Sequence, residues 1–205
     1  MTFKVKDHYF NKAKSENYLA RSIYKLEEID KKFNLLIKAQ RVLDLGYYPG
    51  SWTQYIAETF QKRAIDGKVV GIDIQEVNEN LQSNNMIELF QMDIFSPSFK
   101  SWIGDKIIKE GLFDVILSDM APKTTGVKSV DQLRSLELVE SVFDLLPMVL
   151  AANGNFVIKV FESQQAQDFL KSMRYNFEKT NMFRPKATRT VSKEFFYIGT
   201  NYVKK

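Results

Sequence analysis

The stretch Arg41-Val-Leu-Asp44-Leu-Gly46-Tyr47-Tyr48-Pro49-Gly50-Ser51-Trp52 constrains the fold of this chain more than any other. A short apolar run ends in an acid and two glycines, and the next residues read as the first turn of a helix. That is a strand, a tight loop and a helix N-terminus, one unit of an open α/β sheet. Such units recur. Lys68 to Ile74, Ile87 to Met92 and Phe113 to Asp119 are further buried strands, each ending in or followed by an acid: Asp73, Asp93 and Asp119.

Helical spacing fills the intervals. The pattern predicts helices from Ser15, as N-cap, to Phe33, from Ser51 to Gln61, from about Ser98 to Glu110, from Asp131 to about Leu150 with a kink at Pro147, and from Gln164 to Met173. Asn153-Gly154 is read as the stop after the fourth of these, before a strand from Asn155 to Val160. Two last strands, Phe177 to Phe183 and Phe195 to Tyr202, have no helix between them and are expected to pair antiparallel. The fold class that follows is α/β: a mostly parallel seven-stranded sheet with helices on both faces and an antiparallel final strand. Residues 1–14 are read as a flexible basic arm and 15–205 as one domain; residues 123–130 form an aperiodic loop.

The 205 residues carry 29 basic and 25 acidic side chains, unevenly placed. Residues 1–38 hold nine basic against five acidic, and residues 184–205 hold six against one, so both ends are basic and the body is acidic. If the fold joins the ends, Lys4, Lys6, Lys12, Lys14, Arg21, Arg184, Lys186 and Arg189 form a footprint for nucleic acid. With no cysteine, the chain has no disulfide, thiolate zinc site or cysteine nucleophile; His8 is the sole histidine, and no metal is expected. The N-terminus has no apolar signal region and no run of membrane-spanning length, which predicts a cytoplasmic protein.

Ligands of such sheets bind at the carboxyl ends of the strands, where Gly46, Asp73, Asp93, Asp119 and Lys159 fall. An acid after the second strand suits ribose hydroxyls. The loop is Gly46-x-x-x-Gly50 rather than G-x-G-x-x-G, and a P-loop lysine is absent, so S-adenosyl-L-methionine fits better than NAD or ATP.

Asp44-Leu-Gly-Tyr-Tyr-Pro-Gly-Ser-Trp52, Ser118-Asp119-Met-Ala-Pro122, Val157-Ile-Lys159-Val-Phe161 and Ser192-Lys-Glu194 stand in the order and spacing of the FtsJ (RrmJ) family of RNA ribose 2′-O-methyltransferases, which the chain resembles over residues 18–202. Arg21-Ser-Ile-Tyr-Lys25-Leu is similar to that family's R-S-x-x-[FY]-K-L segment. The resemblance implies a Rossmann-like methyltransferase with a catalytic tetrad at Lys25, Asp119, Lys159 and Glu194, with Lys159 as base. It implies a cofactor site at Asp44, Gly46, Pro49, Gly50, Ser51, Trp52, Asp73, Asp93, Ile94 and Asp119, and a monomer acting on large-subunit ribosomal RNA. Transfer RNA, an mRNA cap, or an inactive RNA-binding role in ribosome assembly are the alternative readings.

Lysine acts as a base only when its neutral form is populated; burial and Lys25 favour that form of Lys159, while Asp119 and Glu194 favour the charged one. A simpler reading of Lys25 is a surface pair with Glu28. Asp131-x-x-Arg134 also matches a family element. The family usually shows G-A-A-P-G-G-W, where this chain has Tyr47, Tyr48 and Ser51. The rings either pack on the first helix, reshape the cofactor pocket, or offer a ring to the RNA base.

Overall fold

The computed structural model describes residues 8–189 and 192–204. Seven strands form one sheet: β1 (Arg41–Leu45), β2 (Lys68–Asp73), β3 (Ile87–Gln91), β4 (Phe113–Ser118), β5 (Leu150–Phe161), β6 (Phe177–Phe183) and β7 (Glu194–Tyr202). Their order is β3-β2-β1-β4-β5-β7-β6. The first five run parallel, and β7 lies antiparallel between β5 and β6. The chain steps outward from β1 to β2 and β3, then returns to place β4 on the other side of β1. That reversal opens a crevice beyond the carboxyl ends of β1 and β4.

Alternation along the strands feeds two cores. Val42, Val69, Val115, Leu117 and Val157 face helices α2 (Ile23–Phe33) and α3 (Ser51–Lys62), which contribute Leu26, Ile29, Ile56 and Phe60. Leu43, Leu45, Val70, Ile72 and Ile116 face α5 (Pro97–Glu110), α6 (Lys128–Val149) and α7 (Gln164–Met173), which bring Phe99, Ile103, Val142, Leu146 and Leu170. A one-residue slip would exchange these faces, so the hydrophobic pattern fixes the register. A short α4 (Glu79–Gln82) follows β2, and one 3-10 turn, Arg174–Asn176, precedes β6.

Helix α6 begins at Lys128, inside the loop expected over residues 123–130, and the structure departs from the sequence pattern in three further places. Within the expected basic arm, His8–Ser15 is helix α1, with Ala13 buried; Lys4 and Lys6 lie outside the described residues. The helix predicted from Ser15 is interrupted. Asn17 adopts φ 61°, and the Tyr18 N–H donates to Ala13 O at 2.8 Å, a left-handed turn that ends α1 before α2 begins. Asn153-Gly154, read as a helix stop, lies inside β5, which follows α6 directly. The register jumps there from Phe113↔Leu150 to Val115↔Asn155, and Asn153 at φ 63° makes the bulge.

Candidate active site

Each strand end carries its polar group on a short, hydrogen-bonded turn. Gly46 has φ +74°, and a Cβ there would lie 2.3 Å from Met120 Cγ and 3.1 Å from Met120 Cα. The loops after β1 and β4 therefore touch only because residue 46 is glycine. Asp73 Oδ2 accepts from the Tyr48 N–H at 3.1 Å and Oδ1 from the Gln75 N–H at 2.9 Å, so one carboxylate joins the loops after β1 and β2. Asp93 Oδ1 accepts from the Phe95 N–H at 2.9 Å. Gly46, Tyr48, Asp73, Asp93, Ile94 and Asp119 line one cleft of about 650 Å³.

The remaining residues expected at the cofactor stand behind this cleft. Asp44 is buried on the α3 face, its Oδ2 accepting from the Thr53 hydroxyl at 2.7 Å. Burial, opposed by that hydrogen bond and reinforced by the charges of Asp119 and Asp73, pushes its carboxyl up to about 7. Gly50 caps α3 at φ 116° and packs on Leu81, where a Cβ would meet Leu81 Cδ1 at 2.1 Å; the Pro49 carbonyl accepts from Asn78 Nδ2 at 3.1 Å. Ser51 Oγ is 2.9 Å from Ser22 Oγ, and Trp52 Nε1 donates to Ser22 O at 2.8 Å. Both side chains are buried and tie α3 to the entry of α2. Tyr47 is buried beneath the loop against Gly71, and its hydroxyl accepts from the Asn78 N–H at 3.4 Å. Of the three departures in the glycine loop, Tyr48 alone reaches the cleft.

Lys25, Asp119, Lys159 and Glu194 come together from α2, the end of β4, β5 and the start of β7. Lys159 Nζ lies 3.0 Å from Asp119 Oδ1 and also donates to the Asp119 carbonyl. Lys25 Nζ lies 2.5 Å from Glu194 Oε1 and 3.9 Å from the same Asp119 Oδ1. The Glu194 carboxyl is pulled two ways. Burial raises it, but the charge of Lys25 and its hydrogen bond, then Lys159 and Ser192, hold it below the usual carboxylate range. Lys25 does not pair with Glu28, whose oxygens accept from the backbone N–H groups of Lys186 at 2.8 Å and Ala187 at 3.2 Å.

That Glu28 bridge brings the two basic ends of the chain together. Ala13 of α1, Ile23 and Tyr24 of α2 and Ala187 form a third small core, and Arg21 donates to the Ala187 carbonyl. Arg184, Lys186 and Arg189 are exposed on the adjoining loop, as is Lys14; Lys12 stands over the Tyr24 ring at 4.3 Å. Arg21, Ser22, Lys25, Arg189, Ser192 and Glu194 line a second cavity of about 300 Å³. Burial, then the like charge of Arg189, lowers the Arg21 guanidinium from its ordinary value.

Several cleft residues were not legible from the strand-end rule, among them Gln75, Phe95, Met120, Lys123, Arg134 and Glu137. For Arg134 the signal was the D-x-x-R spacing. Asp131 accepts from the Thr125 N–H at 2.7 Å, its hydroxyl at 2.9 Å and the Gly126 N–H at 3.1 Å, and Arg134 Nη1 donates to Lys123 O at 3.2 Å. The pair pins residues 123–126, which border the cleft. Among the described residues there is no group of three His, Cys, Asp or Glu able to hold a metal, and no helix is long and apolar enough to cross a membrane.

A model of the FtsJ-like methyltransferase family matches residues 18–202. Among curated relatives, a ribosomal RNA large subunit methyltransferase E of Lawsonia intracellularis is 47% identical over 199 residues, covering 96% of this chain and 95% of that one. The protein of that name from Oleidesulfovibrio alaskensis is 43% identical, covering 97% and 93%. Among solved structures, a chain described as a ribosomal RNA methyltransferase from Plasmodium falciparum superposes with a TM-score of 0.79 at 26% identity, covering 92% of this chain and all of that one.

Proposed function

We propose that this chain, which belongs to the FtsJ-like methyltransferase family, methylates a ribose 2′-hydroxyl of large-subunit ribosomal RNA from S-adenosylmethionine. The observation that carries the reading is the position of Asp119. Its side chain lines the 650 Å³ cleft, while Lys25 and Glu194, linked to it through Lys25, line the 300 Å³ cavity. Asp119 and Lys25 thus stand between two cavities, one sized for a cofactor and one open to the basic surface, with Lys159 held on Asp119 at 3.0 Å.

The cleft residues fit that cofactor. Asp73, Asp93, Asp119 and Glu137 face Lys123 and Arg134, an acidic balance that disfavours polyphosphate and suits a phosphate-free, cationic nucleoside. Asp73 would take the ribose hydroxyls and Asp93 with Ile94 the adenine, leaving Gly46 and Asp119 at the methionine end. When bound, S-adenosylmethionine supplies an electrophilic methyl group on a sulfonium. The protein must align the 2′-oxygen and remove its proton.

Lys159 takes that proton on Nζ. Asp119 orients Lys159 and compensates the ammonium formed. Lys25, held by Glu194, and the arginines of the second cavity fix the ribose and its phosphates, with Lys12, Lys14, Arg184 and Lys186 extending the footprint. Incubation with labelled S-adenosylmethionine and, separately, large ribosomal subunits, transfer RNA and capped mRNA tests the reading. A single mapped 2′-O-methyl site in the large-subunit RNA is expected; labelling confined to another RNA, or to none, contradicts it.

A further inference from the structure

We propose that Tyr48 is a cofactor-retaining residue of this chain, its ring forming a wall that closes on the bound nucleoside beside Asp73. The inference rests on the cleft being the S-adenosylmethionine site. Consecutive tyrosines in the loop after β1 have opposite fates. Tyr47 is buried, seated where Gly71 of β2 leaves room: a Cβ on Gly71 would come within 2.9 Å of Tyr47 Cγ. Tyr48 is 51% exposed, lines the cleft, and among the described residues stacks on no other ring and has no hydrogen-bond partner for its hydroxyl.

An exposed aromatic ring in a concave site gains stability when a ligand covers it. Two more large apolar side chains stand exposed on the same cleft, Ile74 at 56% and Phe95 at 55%, so the apolar lining is distributed around the acids rather than confined to one residue. Little order is lost when Tyr48 is covered, because its backbone is already fixed. The Tyr48 N–H is held by Asp73 Oδ2, Pro49 follows and restricts its dihedrals, and Tyr47 anchors the preceding residue in the core. The hydrogen bond to Asp73 holds the Tyr48 backbone at the carboxylate assigned to the ribose, and both residues line the cleft. Glycine-loop alanine, the residue the family usually shows at this position, offers no such surface.

Isothermal titration of the full chain with S-adenosylmethionine and with S-adenosylhomocysteine tests this, on wild type, Tyr48→Ala and Tyr48→Phe. Tyr48→Ala is expected to weaken both ligands by about five- to thirtyfold, the range of a lost aromatic contact, and Tyr48→Phe to stay within about twofold. A loss for S-adenosylmethionine that exceeds the loss for the neutral product also supports the contact, since a sulfonium is additionally attracted to a ring face. Thermal unfolding of both variants should match wild type, as the side chain is not part of any of the three cores. Tyr48→Ala binding as tightly as wild type, or more tightly, overturns the assignment. Wild type binding neither ligand overturns the cofactor reading along with it.

Discussion

Asp44 offers a quantitative test of how the strand end after β1 is built. Its carboxyl is 1% exposed; Oδ2 accepts from Thr53 at 2.7 Å, and Oδ1 is buried with no hydrogen-bond partner among the described residues. Burial first, then the charges of Asp119 and Asp73, place its ionisation at about 7 against the Thr53 hydrogen bond. The unfolded chain loses this proton near pH 4, so between pH 4 and 7 the folded state binds more protons and stability falls as pH rises. At about 1.4 kcal/mol per pH unit, the site withdraws about 4 kcal/mol across that window. Asp44→Asn does not titrate. At pH 4, where folded Asp44 is protonated, the substitution exchanges an unpaired O–H for an unpaired amide N–H, each costing about 1–3 kcal/mol, so the two proteins should have similar stability there. Urea unfolding from pH 4 to pH 8 should show the difference growing in favour of Asp44→Asn by about 4 kcal/mol, other titrating groups cancelling in the comparison. A difference that stays flat to within about 1 kcal/mol refutes the claim that Asp44 is a high-pKa buried acid.

Two further outcomes follow from the basic surface. Glu28→Ala removes two charge-assisted hydrogen bonds to the 186–187 backbone, so it should lower stability by about 1–2 kcal/mol, discounted for its partial exposure, and raise hydrogen exchange in the loop around Ala187. Unchanged exchange there would show that the third core alone holds the loop. Arg21→Ala and Arg189→Ala should each weaken ribosomal RNA binding and reduce its salt slope by about one, measured by filter binding across salt concentrations; an unaltered slope would remove these arginines from the phosphate contacts.

The sheet was readable in the sequence because its signals are local. Buried runs ending at Asp73, Asp93 and Asp119 can hardly be anything but parallel strands with polar carboxyl ends, and the resemblance to a known family supplied Lys25 and Glu194. Helix α1 was not readable: Tyr9 and Ala13 give only two positions of an apolar face, and the surface that covers them, Tyr24 and Ala187, is remote in sequence. Asn153-Gly154 satisfies a helix-stop rule and a bulge rule equally, and only pairing with β4 decides between them. Trp52 and Ser51 sit next to the glycine loop in sequence, yet the first turn of α3 rotates them toward Ser22. Adjacency in the chain does not report which way a helix faces.

The most direct test of the account is Lys159→Ala. With Asp119, Lys25 and Glu194 still in place, titration should show S-adenosylmethionine binding within severalfold of wild type, while single-turnover methylation of large ribosomal subunits falls by at least about a hundredfold, the scale of a lost proton-transfer group. Methylation near the wild-type rate with cofactor bound would contradict the assignment of Lys159 as the group that takes the 2′-hydroxyl proton.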